Sequence, residues 1–132
     1  MGFASDIEKW AELTKQDIET VVKKTAIDMF SSVIFLSPVD TGRFINNWRL
    51  SIGKVDPTVN LEAIGKSKDP IYSRIQAEIS GFKLGDVVYF SNNLPYAIPL
   101  EYGHSEQRPD GMVRQTVATF QKVVSKNIKA IK

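Results

Sequence analysis

The chain has 132 residues, of which 42% are apolar and 24% charged, and its formal net charge is +2. These values are typical of one soluble globular domain and are too weakly basic to indicate nucleic-acid binding by themselves. The absence of cysteine excludes disulfides and cysteine-ligated zinc. No run approaches the roughly 18 apolar residues of a membrane span, so no membrane partner is expected.

The first predicted element is one long helix over residues 6–36. Apolar residues recur there at three- and four-residue steps, with charged residues between them. Ser5 or Asp6 is positioned to cap the first amides of this helix. The helix is expected to end before Pro38, because proline disfavours the α region for the residue that precedes it.

The next segment, residues 44–52, changes to an alternating pattern in which Trp48, Leu50 and Ile52 are apolar. This pattern predicts a half-buried strand, although Asn46 interrupts the alternation near its start. Residues 53–68 contain two glycines, an Asp-Pro pair and no strong period. They are predicted to form a loop or a mobile arm.

The second half of the chain predicts a middle helix that begins at Asp69-Pro70 and ends near Gly81. A β-rich run at residues 85–93 follows, and then a turn-rich segment with a short helical piece around residues 96–102. A last helix is expected to run from Asp110 or Gly111 over about five turns.

These elements predict a single α+β domain over residues 1–132. Its long N-terminal and C-terminal helices are expected to pack on a small antiparallel β-sheet, with a short middle helix. The outer face of the last helix is basic, and no acidic residue follows Asp110. A solvated face is the ordinary interpretation, and the alternative is contact with DNA or an acidic partner through Lys122, Lys126 and Lys129.

The triplet Asp40-Thr41-Gly42 is also the one that carries the catalytic aspartate of aspartic proteases, where two carboxylates share one proton. The surroundings do not favour that chemistry, because a predicted helix precedes the triplet and Arg43 would perturb a shared carboxylate pair. The triplet is therefore interpreted as a tight turn, in which Asp40 accepts backbone amides and Gly42 adopts a conformation closed to other residues. An aspartic-protease-like enzyme remains the alternative.

Other candidate chemistry is sparse. His104 is the only histidine, and it lies between Glu101 and Glu106. A metal site normally needs three or four convergent ligands, so His104 is predicted to be a turn residue. The glycines match no phosphate-binding fingerprint. No metal and no cofactor are expected.

Two separated motifs line up with a known family: SPVDTGRFINNWRLS at residues 37–51 and VYFSNNLPYAIPLEYGHSEQRPDGMVRQTV at residues 88–117. They resemble the small minor-tail or tail-completion proteins of long-tailed bacteriophages, and they cover about a third of the chain. In that family a long helix leads to a Pro-x-Asp-Thr-Gly-Arg turn and a strand. The later family features are all present here: Asn92 or Asn93, Pro95-Tyr96-Ala97, Leu100-Glu101-Tyr102-Gly103, and Pro109-Asp110-Gly111-Met112. Arg108 departs from the pattern, because a small residue is expected there.

The resemblance implies a structural virion protein and not an enzyme. Such a protein is expected to form a ring, with six subunits, at the head-proximal end of the tail and around the channel for genomic double-stranded DNA. The implied partners are copies of this chain and the neighbouring head stopper, tail terminator and tail tube proteins. The implied location is the virion neck, reached from the host cytoplasm during assembly. A tail terminator that caps the tail tube and a free DNA-binding module are the alternatives.

The resemblance also suggests roles for individual residues in a rigid turn and a subunit interface. Arg43 is expected to reach a carboxylate on the same or a neighbouring subunit, and Glu101 is the candidate partner because arginine pairs with carboxylates directionally. The segment from Pro95 to Gly103 is expected to present tyrosines to a neighbour. The complete predicted set is Asp40, Thr41, Gly42, Arg43, Pro95, Tyr96, Glu101, Tyr102 and Gly103.

Overall fold

The structure is a computed structural model that describes residues 3–11, 13–102 and 111–131. Its elements in chain order are helices α1 (Phe3–Ala11) and α2 (Lys15–Leu36), a 3-10 helix (Ile45–Asn47), strand β1 (Trp48–Ile52), helix α3 (Asp69–Ile79), strand β2 (Val88–Asn92), and helices α4 (Ala97–Glu101), α5 (Val113–Val117) and α6 (Phe120–Lys129). The predicted α+β class is confirmed, with N-terminal and C-terminal helices around a small antiparallel sheet and a short middle helix. None of the described helices is long and apolar enough to cross a membrane.

The predicted helix over residues 6–36 is wrong in its first part, because the structure divides it into α1 and α2. Thr14 caps α2: its Oγ1 accepts the backbone N–H of Asp17 at 3.1 Å, and the Asp17 carboxylate accepts the N–H of Thr14 at 3.3 Å. This reciprocal capping box stabilises a helix start at Lys15 and breaks the longer helix. The predicted cap positions Ser5 and Asp6 lie inside α1, which begins at Phe3, and not before its start.

The strand predicted from residue 44 begins only at Trp48, because a 3-10 helix occupies Ile45–Asn47. The Asn47 side chain donates to the carbonyl of Arg43 at 2.7 Å, and the Asn46 side chain donates to the carbonyl of Gly42 at 2.8 Å. Such bonds from asparagine side chains to nearby carbonyls compete with a strand ladder. The interruption at Asn46 in the sequence pattern therefore marks a real change of backbone geometry.

The two strands pair antiparallel, with Leu50 opposite Phe90. Phe90 lies between two other rings on the inner face of the sheet. Its centroid is 4.3 Å from that of Phe30 on α2 and 4.8 Å from that of Trp48 on β1, and both pairs are nearly parallel. Stacked aromatic pairs contribute roughly 0.5–1.5 kcal/mol each beyond the area they bury. This three-ring stack joins α2 to both strands.

Helix α3 packs between α2 and β1 through Ile71, Ile75 and Ile79, which are all buried. Their four-residue spacing is the one that predicts the middle helix, and Pro70 lies in its first turn as expected. The Arg74 guanidinium donates to the carbonyl of Trp48, which attaches the outer side of α3 to the start of β1. The middle helix and the two strands thus form one core with α2.

The last predicted helix is also divided, into α5 and α6, with Ala118 and Thr119 between them. The hydroxyl of Thr116 donates to the carbonyl of Met112 at 2.8 Å, and that of Thr119 donates to the carbonyl of Thr116 at 2.7 Å. Threonine hydroxyls that bond to backbone carbonyls favour a bend or an end in a helix. The apolar period alone does not reveal this break.

Residues 53–68 contain neither helix nor strand, as predicted. The segment is attached to the rest of the fold at several points. Asn47 and Asn60 exchange two hydrogen bonds, of 2.9 and 2.7 Å. At its end, the Lys68 ammonium donates to the carbonyls of Phe35 and Ser37 at 2.7 and 3.0 Å, at the C-terminus of α2. A cation at this end of a helix is favoured by the helix dipole.

Candidate functional site

The turn at residues 40–43 is built by close backbone contact with the end of the 53–68 segment. Gly42 is buried and has a φ of +95°, and a Cβ placed on it would lie 1.9 Å from the carbonyl oxygen of Gly65. The N–H of Gly65 donates to the carbonyl of Thr41 at 3.0 Å. Only glycine satisfies both the left-handed backbone and the absence of space at this position. This arrangement agrees with the conformation expected for Gly42.

Thr41 makes a hydrogen bond from its side chain to the backbone of this turn. Its Oγ1 accepts the backbone N–H of Arg43 at 3.2 Å, which is the role that the sequence suggested for Asp40. Asp40 is exposed, and it lies in the connection between α2 and the 3-10 helix. This position differs from that of the protease aspartate, which follows a buried strand in an all-β fold.

The two motifs of the sequence meet in the core at Ser37. The Ser37 hydroxyl accepts the indole N–H of Trp48 at 2.9 Å and donates to the carbonyl of Val33 at 2.7 Å. The sulfur of Met112 lies 3.3 Å from the same oxygen. A hydroxyl has a single proton, so the shorter contact to Val33 takes it and the sulfur contributes packing. Residues from both motifs therefore surround one buried hydroxyl.

A second link between the motifs is the side chain of Asn92, at the end of β2. Its amide group donates to the carbonyl of Phe44 at 2.8 Å, while its oxygen accepts the N–H of Leu94 at 3.2 Å. The amide thus fixes the start of the 3-10 helix and the turn after β2 at the same time. The family pattern marks an asparagine at this point, and the structure gives it a physical role.

Glu101 binds the start of α5 and not Arg43, which corrects the pairing expected within the chain. Its Oε1 accepts the N–H groups of Met112 and Val113 at 2.9 and 2.8 Å. Its Oε2 accepts the N–H and the side-chain Nε of Arg114, at 2.9 and 3.0 Å. The carboxylate therefore satisfies the free amides of a helix start and is neutralised by an arginine of the same chain.

The pKa of Glu101 reflects this environment. Burial alone would raise the pKa, but the backbone N–H groups of Val113, Arg114 and Met112, together with the Arg114 side chain, outweigh it and lower the pKa below its ordinary value.

Gly111 allows Glu101 to approach the start of α5 closely. It has a φ of +83°, and a Cβ there would lie 2.6 Å from the carbonyl oxygen of Glu101.

The tyrosines of the second motif have different surroundings. Tyr102 is exposed, and the Arg114 guanidinium lies 4.7 Å from its ring centroid, in a cation–π arrangement. Tyr96 is half-buried, and its ring packs 6.1 Å from that of Phe44. Tyr102 is therefore accessible to a neighbouring subunit, as the predicted role requires, whereas Tyr96 is partly packed within the chain. Pro95 is exposed beside Tyr96, and Gly103 lies outside the described residues.

The three lysines of the last helix lie on the outer face of α6, where all of them are exposed. Lys126 is the one that makes an ion pair with α2, with its ammonium 3.2 Å from the Asp28 carboxylate. Exposed pairs of this kind stabilise a fold by at most about 1 kcal/mol. The basic face predicted from the sequence is thus present as a row on one helix.

An apolar groove lies between α2 and α6, and the sequence pattern did not reveal it. Its volume is about 620 Å³, and its lining includes Ala26 and Phe30 of α2 and Phe120 and Val124 of α6. Val87, which is 54% exposed, also lines it. We call this feature the α2–α6 groove. Its residues belong to regular apolar stripes, so the sequence predicts them as core although part of that surface remains open.

No group of three or more potential metal ligands occurs among residues 3–11, 13–102 and 111–131. His104 and Glu106 lie outside these ranges, as do Pro109 and Asp110. Comparisons of the chain with protein-family models, with curated proteins and with solved structures found no significant match in any of the three.

Proposed function

We propose that this protein is a structural component of a tailed-phage virion, forming part of the head–tail neck as a ring around the DNA channel. The main observation in support is that residues of the two family-like motifs contact one buried hydroxyl, that of Ser37. Trp48 donates to Ser37, and Met112 contacts the same oxygen, although these residues lie far apart in the chain. The two motifs thus belong to one folded unit, as expected if they derive from one ancestral domain.

The surface of the described residues also supports an assembly role. Large apolar side chains are exposed at Ile98 (72%), Tyr102 (64%) and Phe120 (52%). Ile98 and Tyr102 line the same depression, and adjoining exposed apolar side chains of this kind are typical of protein–protein contacts. Arg43 is exposed on a turn whose backbone is held by Gly42 and Gly65. A charged side chain on a rigid turn is well suited to set the rotation between subunits, and a reproducible rotation is what closes a ring.

The proposed role of the ring is limited to assembly and to the passage of DNA. The basic row at Lys122, Lys126 and Lys129 is proposed to face the DNA or an acidic neighbouring ring. The 53–68 segment is proposed to contact the adjacent ring through its exposed side chains, among them Leu61 and Ile64. The proposed partners are therefore further copies of this chain, the neighbouring neck and tail proteins, and the double-stranded genome.

Electron microscopy of the purified protein, alone and mixed with tails of the phage that encodes it, tests this proposal. We expect closed rings in solution and a ring at the head-proximal end of the tail. A ring that directly ends the tail tube would indicate a tail terminator, whereas a ring stacked on a terminator would indicate a neck layer. A protein that stays monomeric and does not decorate tails contradicts both.

The competing classes make different predictions in solution. An aspartic protease would cleave peptides at acid pH, would be inhibited by pepstatin, and would lose activity in Asp40→Asn. A free DNA-binding module would bind short duplex DNA as a monomer, with an affinity that falls steeply with salt. We expect neither property in the isolated protein.

A further inference from the structure

The α2–α6 groove has the dimensions of a docking site for part of another protein. The residues of α2 that line the groove run from Val21 to Phe30. At 1.5 Å per residue, this part of the helix is about 13 Å long. Thr25 and Asp86 are the polar residues that line it. Sites for small polar ligands carry several convergent polar groups, and this groove does not. Apolar side chains of a protein are the chemistry that it suits.

The same chain exposes an apolar surface of matching character. Ile98 and Tyr102 are four residues apart, which places them on one side of α4 and its end, and they border a shallow depression together with Val113. We call these three residues the α4–α5 patch. Their exposed fractions are 72%, 64% and 38%. Three large apolar side chains that remain this exposed, next to each other, indicate a surface that another molecule covers.

The two surfaces are separated within one molecule. Val88 at the start of β2 lines the groove, whereas α4 follows the other end of the strand at Asn92. Four residue steps along a strand span about 13 Å. The patch of one chain therefore does not fill the groove of the same chain, and a second copy is needed to bring them together.

The charges of the two surfaces are compatible. Asp86 is the charged residue that lines the groove, and its side chain is exposed at the rim. In the patch, the guanidinium of Arg114 lies on the ring of Tyr102 and pairs with Glu101 at 3.0 Å, so the patch carries no uncompensated negative charge, and the arginine is still 51% exposed. An arginine beside an aromatic ring is a frequent anchor in protein interfaces. The acidic rim of the groove favours this partner over an acidic one.

We propose that the α4–α5 patch of one copy docks in the α2–α6 groove of the next copy, so that identical chains associate head to tail. Such a heterologous contact uses two different surfaces of each chain and closes into a ring when its rotation is suitable. The inference rests on the proposed ring, because it identifies the surfaces that would build it.

The absence of cysteine allows a direct test by single-cysteine crosslinking. Val87→Cys places a thiol in the groove and Ile98→Cys places one on the patch. Both sites are more than half exposed, so the variants are expected to fold. A bis-maleimide should join an equimolar mixture of the two variants and should leave each variant alone largely uncrosslinked. Phe35→Cys, which is 68% exposed and belongs to neither surface, is the matched control partner for Val87→Cys.

The outcomes separate the inference from the proposed function. Crosslinks specific to the Val87–Ile98 mixture, and a ladder of multimers in the double variant, support head-to-tail docking. Crosslinks within a single variant indicate a symmetric contact and overturn it. Rings in the microscope without the mixed crosslink also overturn it, while leaving the ring function intact. A monomer by light scattering, with no crosslink and no decoration of tails, overturns both.

A charged substitution in the α4–α5 patch provides an independent test of the docking contact. Ile98→Asp should reduce the mass measured by light scattering to that of the 14.8 kDa monomer, because it puts a carboxylate into an apolar groove lined by Asp86. Phe35→Asp, at an exposed apolar residue outside both surfaces, should leave the assembled mass unchanged. If Ile98→Asp assembles like the unmodified protein while circular dichroism shows an intact fold, the patch is not the docking surface.

Discussion

The indole N–H of Trp48 donates to the hydroxyl of Ser37 across 2.9 Å in the core, where both residues are buried. This bond connects the end of α2 with the start of β1, although a turn and a 3-10 helix separate them in the chain. Because Met112 contacts the same hydroxyl, the N-terminal and C-terminal halves also meet here.

Ser37→Ala is expected to destabilise the protein by about 1–3 kcal/mol, because the Trp48 N–H is left buried without an acceptor. Chemical denaturation followed by circular dichroism measures this loss. Ser80→Ala is the matched control: its hydroxyl also donates to a backbone carbonyl, that of Ala77, but at an exposed site. The control is expected to change the free energy of unfolding by less than about 0.5 kcal/mol. Equal losses in both variants would show that the Trp48 bond contributes nothing.

Gly42→Ala is predicted to be more damaging than Gly53→Ala. Both glycines have a φ near +95°, but a Cβ on Gly53 meets no atom within 4 Å, whereas one on Gly42 collides with Gly65. The left-handed backbone alone costs roughly 1–2 kcal/mol for a residue with a side chain. The collision should add about 1–3 kcal/mol at Gly42, as overpacking does elsewhere. Denaturation midpoints of the two variants measure the difference, and equal midpoints would contradict the close contact with Gly65.

Features that depend on local spacing were predictable from the sequence. The buried positions of Ile71, Ile75 and Ile79 follow from their four-residue period, and Pro70 marks the start of the same helix. The strand β2 follows from its β-branched and aromatic residues between Gly85 and two asparagines. These signals agree with the tertiary structure because each element buries the same face that its period defines.

Features that depend on partners distant in the chain were not predictable. The sequence suggests Glu101 as a partner of Arg43 in the same or a neighbouring subunit, whereas within the chain it binds Arg114 and the amides at the start of α5. Nothing in local spacing indicates that residues 101 and 111–114 lie in contact. The groove was missed for a similar reason: an apolar stripe predicts which side of a helix avoids water, but not whether neighbouring elements cover all of it.

Glu101→Gln is expected to flatten the dependence of stability on pH. The folded-state pKa of Glu101 lies below its ordinary value of 4.5. The carboxylate therefore stabilises the fold above pH 4.5, and this contribution is lost as the pH falls through the lower folded pKa. At neutral pH the substitution should destabilise the protein by about 0.5–2 kcal/mol, the range measured for removal of a helix cap.

Urea denaturation of both proteins at a series of pH values between neutral and acid checks this expectation. The difference between the Glu101→Gln variant and the unmodified protein should shrink as the pH falls, since the other carboxyl groups are common to both. Glu62→Gln, at an exposed position on the 53–68 segment, should follow the unmodified protein at every pH. A constant difference at all pH values would mean that the charge of Glu101 does not stabilise the fold.

The basic row on α6 is predicted to contact polyanions. Replacing Lys122, Lys126 and Lys129 by glutamate should make the protein elute from heparin at a lower salt concentration, because fewer counterions are released on binding. The control variant replaces Lys15, Lys54 and Lys66, which are exposed elsewhere, and it has the same net charge. Similar elution of the two variants would indicate that only net charge matters and that the row has no special role.

Arg43→Glu is predicted to prevent ring assembly while leaving the monomer folded. The backbone of Arg43 is held by the turn, since its N–H donates to the Thr41 hydroxyl at 3.2 Å. Its side chain is exposed, and the carboxylate of Glu101 in the same chain already binds Arg114. An acidic group of a neighbouring subunit is therefore the partner that the proposal requires, and a reversed charge would repel it.

Light scattering and circular dichroism together test this prediction. We expect Arg43→Glu to have the mass of a monomer and an unchanged spectrum. Lys15→Glu makes the same change of charge at an exposed position of α2, outside the proposed contact surfaces, so it should assemble normally. Assembly of Arg43→Glu to the same mass as the unmodified protein would place Arg43 outside the subunit contact. Loss of the folded spectrum would instead show that the arginine is needed for the turn itself, in contradiction to its exposed position.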